Sequence, residues 1–356
     1  MLFRVKALPA ERGDCLWIEY GTSESEKYIL IVDTGTEGTL AHLERRLKAV
    51  KDEGVEALVV THIDDDHIGS AAALLRKPAM ARKFKDVWFN GRKHCGNAID
   101  KEAYGVRSAV AVEGVLLEKD LPWNRIVDDK AIRVNDDGSP RVLPRLAGDM
   151  QVTVLGPTLK ELMRLGVAWD EGVLEIEQKE SRKRVAEQPP PSGLEGLGPE
   201  SLDIKSLASG AVFDSSVTNA SSIVLLLEFA GKRILLAADA RATTVRRSYG
   251  RIGKPTINLL KVSHHGSRNN TSRTLITDLL ASRFLICTDG SVHNHPDDEC
   301  IARLLESPGP KKIYCNYETE SSAVWRDNTE LALAHKYKVI EGDDGFVEID
   351  MLDEPS

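Results

Sequence analysis

The chain has 356 residues, 42% hydrophobic and 29% charged, an ordinary globular composition with enough apolar material for a sizeable core. A net charge of −8 excludes a polycation that holds nucleic acid by bulk charge, and no apolar run reaches the ~18 residues of a membrane-spanning helix. The five cysteines, Cys15, Cys95, Cys287, Cys300 and Cys315, are odd in number and never closely paired; this argues against a disulfide framework and a cysteine zinc site, and the expectation is a cytoplasmic protein with mostly reduced, structural thiols.

Residues 2 to 8 and Cys15 to Glu19 alternate as edge-compatible strands, joined by the polar turn Glu11-Arg12-Gly13-Asp14. Tyr28 to Val32 is a continuous apolar strand ending at Asp33-Thr34-Gly35. A carboxylate at that place either caps the next helix or stands behind a metal site and orients a histidine. Leu40 to Lys51 has helical spacing, and Ala57-Leu58-Val59-Val60 reads as a buried strand. Behind it comes Thr61-His62-Ile63-Asp64-Asp65-Asp66-His67-Ile68-Gly69, and then a helical stretch rich in Ala and Leu. Three adjacent carboxylates repel one another, and burying even part of that charge is costly unless cations neutralise it. A solvated acidic loop is the plainer account. Two histidines bracketing the acids at a strand-to-helix turn favour instead one divalent metal or two held within this cluster.

Val87-Trp88-Phe89 is the next strand, with His94 in the loop behind it, near the rim of the site; Ala109 to Leu117 is helical and Met150 to Leu155 extended. Residues 165–215 are heavily charged and broken by Pro189-Pro190-Pro191, and they are expected to form a mobile insertion in a single domain spanning 1–356. Order resumes at Asn219, and Val224 to Phe229 pairs through a turn with Arg233 to Ala238, ending at Asp239. Leu259 to Val262 repeats the logic of an apolar strand followed by imidazoles, here His264 and His265; Ser267, Asn269 and Asn270 are neutral donors suited to phosphate oxygens. Between Arg241 and Arg273 lie eight basic residues and no acidic one, either a local polyanion track or a solvated basic helix. After the strand Phe284 to Thr288 comes His293-Asn294-His295-Pro296, then a helix to Leu305, and Ile313 to Cys315 and Phe346 to Ile349 close the order of strands.

His62-x-Asp64-x-Asp66-His67 resembles the second motif of the metallo-β-lactamase superfamily, with Asp64 where a histidine is usual. Asp33, Asp239 and His264-His265 resemble its first, fourth and fifth motifs, and His264-His265-Gly266-Ser267 with His295-Pro296 resembles the ComEC-like branch. The resemblance implies an α/β fold, the αββα sandwich of two mixed β-sheets flanked by helices. It also implies two divalent ions, zinc or manganese, held by His62, Asp64, Asp66, His67, Asp239 and His264, with Asp239 bridging. Asp64 adds a hard oxygen donor and moves the preference toward manganese. Asp66, His265 and His295 are the expected catalytic groups, His265 being also open as a second ligand, and Asp33, Ser267, Asn269 and Asn219 support the site or touch substrate. Gly156 stands where a third-motif histidine is usual, so one metal position is short of a ligand and is open, weakly held or filled by another residue.

The function this implies is a metal-dependent phosphodiesterase or nuclease, acting on DNA or another phosphodiester through a metal-bound hydroxide, with the 241–273 stretch as counter-charge. Two alternatives stand beside it: a hydrolase of small esters, phosphorylcholine-type esters or lactones, and a non-catalytic, metal-stabilised partner of another protein.

Overall fold

In the computed structural model, which describes residues 1–96, 106–182 and 203–353, the apolar strands sort into two mixed sheets. Strands β1 (Leu2–Ala7), β2 (Leu16–Gly21), β3 (Lys27–Val32), β4 (Val55–Val60) and β5 (Val87–Phe89) lie side by side in chain order. β6 (Arg141–Val142), β7 (Gln151–Gly156), β8 (Val224–Phe229), β9 (Lys232–Leu236), β10 (Leu259–Lys261), β11 (Arg283–Ile286), β12 (Lys311–Cys315) and β13 (Tyr337–Glu341) form the second sheet, again in chain order. β14 (Val347–Asp350) returns to the first sheet and pairs antiparallel with β1.

Period-two alternation decides what each face meets. Leu225 and Leu227 point between the sheets, where they join Phe3, Val5, Ile18, Leu30, Val59, Trp88 and Leu285 in one core. Leu226, one residue out of phase, packs outward with Leu235, Phe284, Val245, Ile276 and Trp325 beneath the helices of the second sheet. Ile31, Leu58 and Val60 do the same on the first sheet against Leu43, Leu74, Val112 and Trp169. The result is a four-layer αββα sandwich. All five cysteines are free and buried. Among the described residues no helix is long and apolar enough to cross a membrane.

Two sequence expectations change. β1 and β2 are interior strands, because β14 covers the open side of β1. Of the 165–215 stretch, residues up to 182 continue the helix Leu159–Arg182, and 203–215 contain the helix Ile204–Ala208, whose Ile204 and Ala208 are buried in the outer core. Residues 183–202, with the proline run, lie outside the described residues. The helices Ala242–Arg251, Arg273–Leu279, Glu320–Asp327 and Thr329–His335 are additions the periodicity did not mark, each being short and polar on much of its surface.

The topology concentrates chemistry at one edge. From β3 to β4 and β5, and from β9 through β10 to β11, the strands run parallel, so their carboxyl ends share a side of each sheet. The loops leaving those ends carry Asp33, Thr61 to His67, Asp239, His264 with His265, and Thr288 onward.

Candidate metal centre

Asp64 occupies the N-cap position of the short helix Asp65–Ile68, yet its side chain accepts no capping hydrogen bond. Its Oδ2 lies 3.5 Å from His62 Nε2 and accepts from Thr218 Oγ1 at 3.0 Å. One turn on, His67 Nε2 stands 4.0 Å from Asp66 Oδ2 and 3.3 Å from Asp239 Oδ1. His265 Nε2 closes that group, 3.1 Å from Asp66 Oδ2, 3.3 Å from His67 Nε2 and 3.7 Å from Asp239 Oδ2. His264 Nε2 is 3.9 Å from Asp239 Oδ2, and His62 Nε2 is 3.8 Å from the same oxygen. Six donors therefore gather around Asp239, and they can be taken as two groups, His62, Asp64 and His264, and Asp66, His67 and His265, joined by the ligand atoms of His62, His67 and Asp239, which all lie within 4.8 Å of one another.

The tandem histidines reach both groups because His264 (φ 49°) and His265 (φ 55°) are both left-handed, which rotates successive side chains apart. Such backbone costs on the order of 1–3 kcal/mol per residue and persists where the surroundings hold it. Here Gly266, itself at φ 90°, lets Pro296 approach so closely that an added Cβ would lie 2.6 Å from the proline ring, and Gly266 O accepts from Asp297 N–H at 3.0 Å. Gly156, by contrast, ends β7 against Val224 and Thr244, and His264 presents a nitrogen to the group that lacks the usual third-motif histidine.

Every imidazole of the centre has its Nδ1 engaged. His67 Nδ1–H donates to Asp33 Oδ2 at 2.8 Å, and His265 Nδ1–H donates to the Cys287 carbonyl at 2.7 Å. His264 Nδ1–H donates to Asn270 Oδ1 at 2.9 Å, with Asn219 Nδ2 3.3 Å away. Thr61 Oγ1–H is spent on Asp33 Oδ2, so Thr61 Oγ1 accepts from His62 Nδ1–H at 3.1 Å. The four Nε2 lone pairs are left aimed at Asp239, and His62 Nε2 and Asp239 Oδ1 are buried with no hydrogen-bond partner among the described residues. Lone pairs and carboxylate oxygens crowded within 4 Å need a cation between them, and this donor set fits a divalent metal.

The local electrostatics show the same demand for positive charge. Burial resists a charge on His265, but Asp239, Asp14 and Asp66 outweigh it and push the imidazole up to about 10. His67 is raised well above the usual histidine range, burial opposing and Asp239, Asp33 and Asp66 prevailing. Burial lifts the Asp239 carboxyl, and His67, His265 and His264 together hold it well below the ordinary carboxylate range.

Asp33 is 1% exposed, caps no helix, and spends its second oxygen on Thr61 N–H at 2.7 Å. Asn219 is buried and donates to Asp214 Oδ2 at 2.9 Å. Ser267 and Asn269 are not brought to the cavity: Ser267 Oγ accepts from Asn269 N–H at 3.3 Å, and the amide at the centre is Asn270. His295 is 7% exposed, its ring 5.7 Å from that of His264, and it lines the cavity of about 240 Å³ over the centre with Asp64, Asp66, Asp239, His264 and His265. His94 lies apart, with Nδ1 accepting from Gly91 N–H at 3.1 Å and Nε2 donating to the Asp129 carbonyl.

Three residues of this site carry signals that reading for motifs passes over. Lys261 is a lysine inside an apolar strand, 1% exposed and ion-paired to the buried Asp14. Asp14 in turn lies 3.5 Å from His265 Nδ1 and 3.8 Å from His67 Nδ1, behind the imidazoles, where the Lys261 ammonium is already the cation. Arg12, half-buried, lines the cavity from the same turn.

Residues 9–138 match the family profile described as Metallo-beta-lactamase superfamily. No curated protein matches the chain. Among solved structures, Zn(2+)-bound PqqB from Methylobacterium extorquens is similar at 12% identity and a TM-score of 0.40, covering 94% of this chain and 86% of that one. A CmlA beta-hydroxylase mutant is similar at 11% identity and a TM-score of 0.38; the match covers 98% of this chain but spans only 54% of the hydroxylase. Residues 9–138 are thus similar to the metallo-β-lactamase superfamily, and the two mixed sheets flanked by helices are consistent with that superfamily's αββα fold.

Proposed function

We propose that this protein is a metal-dependent phosphodiesterase of the ComEC-like kind, holding two divalent ions, zinc or manganese, in the donor groups that meet on Asp239. The observation that carries the reading is the pair of groups itself, each with one carboxylate and two imidazoles and all sharing Asp239. Ions held there supply Lewis acidity to a phosphoryl oxygen and an acidified water. Three carboxylates against two dications leave the centre net positive, which favours an anionic ester over a neutral one. Asp33, Cys287 O, Asn270 and Thr61 keep each imidazole in the tautomer that presents Nε2, so the site is formed before substrate arrives. His295, on the cavity wall and outside both groups, is the residue placed to protonate the leaving oxygen.

Within this class a compact diester is favoured over a long strand. Arg246 and Lys254 share Asp278, Arg268 pairs with Glu299, Arg273 with Glu306, and Lys261 with the buried Asp14. Five of the eight basic residues are thereby paired, with four carboxylates. A cleft of about 640 Å³ that shares His295 with the metal cavity is lined by Asp289, Asp297, Asp298, Glu299 and Glu320, a poor path for a polyanion.

The test is hydrolysis of bis-p-nitrophenyl phosphate and of linear and circular DNA by metal-stripped protein refilled with manganese or zinc, beside Asp239→Ala. Metal- and Asp239-dependent turnover of the small diester is expected, with DNA cleaved poorly. Efficient DNA cleavage replaces the compact-substrate reading by a nuclease, and silence on both sinks the phosphodiesterase.

A further inference from the structure

The turn Glu11 to Asp14 is fastened to four parts of the site. Gly13 has no room for a Cβ, which would lie 1.9 Å from the Asp66 carbonyl, and Asp14 N–H donates to that same oxygen at 3.1 Å. Gly35 N–H donates to Asp14 O at 2.8 Å, and Asp289 N–H donates to Glu11 O at 3.1 Å. Glu11 N–H donates to Tyr317 Oη at 3.0 Å, its carboxylate accepts from Thr36 Oγ1 at 2.8 Å, and its backbone is left-handed at φ 55°. Both neighbours of Arg12 are thus locked.

Arg12 itself has no ion pair or hydrogen bond among the described residues, although it lines a cavity that contains Asp64, Asp66 and Asp239. An arginine beside three carboxylates ordinarily pairs with one of them. These carboxylates turn instead to the imidazoles of the centre, at 3.1 to 3.5 Å. The guanidinium is left for an anion from solution.

We propose that Arg12 is the anion-binding residue of the cavity, donating to a non-bridging oxygen of the substrate's phosphoryl group and setting specificity for anionic esters. This rests on the phosphodiesterase reading for the name of the substrate, but the anion site stands by itself as chemistry. A planar guanidinium matches two phosphoryl oxygens at once, which an ammonium does not.

The probes are inorganic phosphate, titrated calorimetrically into manganese-loaded protein, and bis-p-nitrophenyl phosphate as substrate, with Arg12→Ala and Arg12→Lys beside the unaltered protein. Arg12→Ala is expected to weaken phosphate binding and raise KM by about 10- to 100-fold with kcat changed less, Arg12→Lys recovering part of the loss, and bound manganese the same in all three. Unchanged phosphate affinity in Arg12→Ala, or no phosphate binding by the unaltered protein, overturns the assignment. Loss of manganese from both variants also overturns it, by giving Arg12 a structural role. Arg12-dependent phosphate binding without turnover of any diester keeps the anion site and removes the phosphodiesterase.

Discussion

Asp239 lies within 4 Å of four imidazole nitrogens, one from each histidine of both donor groups. Asp239→Asn is therefore expected to cost both ions, read as metal stoichiometry by atomic emission after dialysis; retention of two ions per chain would refute the bridging role. Asp33 acts at one remove, through the Nδ1–H of His67, and Asp33→Asn should weaken metal affinity about 10- to 100-fold while leaving the ligand set intact. His94 makes the opposite kind of prediction. Burial, helped by the nearby Lys93 and opposed by its bond to the Asp129 carbonyl, lowers its pKa to about 4, and Gly91 N–H occupies the nitrogen that would be protonated. The unfolded chain, with a histidine pKa of about 6.5, binds the proton first as pH falls. The contribution of neutral His94 is thus complete above about 6.5 and lost progressively toward 4, on the order of 3 kcal/mol in all. Urea unfolding at pH 7 and pH 5 should show a smaller loss in His94→Gln than in the unaltered protein, and equal losses would remove the assignment.

At the scale of elements, β10 is the instructive strand. Its Leu259 and Leu260 face opposite cores, while Lys261 reaches back under the centre to Asp14 in the turn before β2. The pair fastens the first sheet to the second directly behind His67 and His265. Removing one member strands a buried charge, so Lys261→Met should destabilise by about 3–5 kcal/mol in urea. Combining it with Asp14→Leu should recover much of that loss, and strictly additive losses would show that the two side chains do not act as a pair. The apolar pattern makes β10 legible as a strand, but nothing local says where its lysine goes. Asp14 is 247 positions away in the chain and adjacent only because the sheets stack.

For the whole molecule, the arrangement of charge matters more than its total. The stretch 241–273 is one-sided in sequence, yet its partners Asp278, Glu299 and Glu306 come from later elements. Triple substitution of Arg246, Arg247 and Arg251 by alanine should leave turnover of bis-p-nitrophenyl phosphate unchanged within about twofold, since none of the three lines the metal cavity. A large fall in that turnover would show that the basic stretch takes part in the reaction. Stripping the ions should lower Tm, because binding to the folded state alone adds roughly 2.7 kcal/mol at a hundredfold excess over Kd. A Tm indifferent to chelation would mean that the donors hold nothing.

The strands with continuous or alternating apolar residues and the acidic-histidine turn were legible from the chain, because each is a local pattern of side chains against a backbone period. So were the places of His62, Asp64, Asp66, His67 and Asp239 at strand ends. The division of His264 and His265 between two donor groups was not, because it depends on two left-handed residues held by Gly266 and Pro296. Nor were the burial of Asp14 against Lys261 or the place of Arg12 on the wall of the cavity. Each of these is a relation between residues far apart in the chain, and only the stacking of the two sheets makes them neighbours.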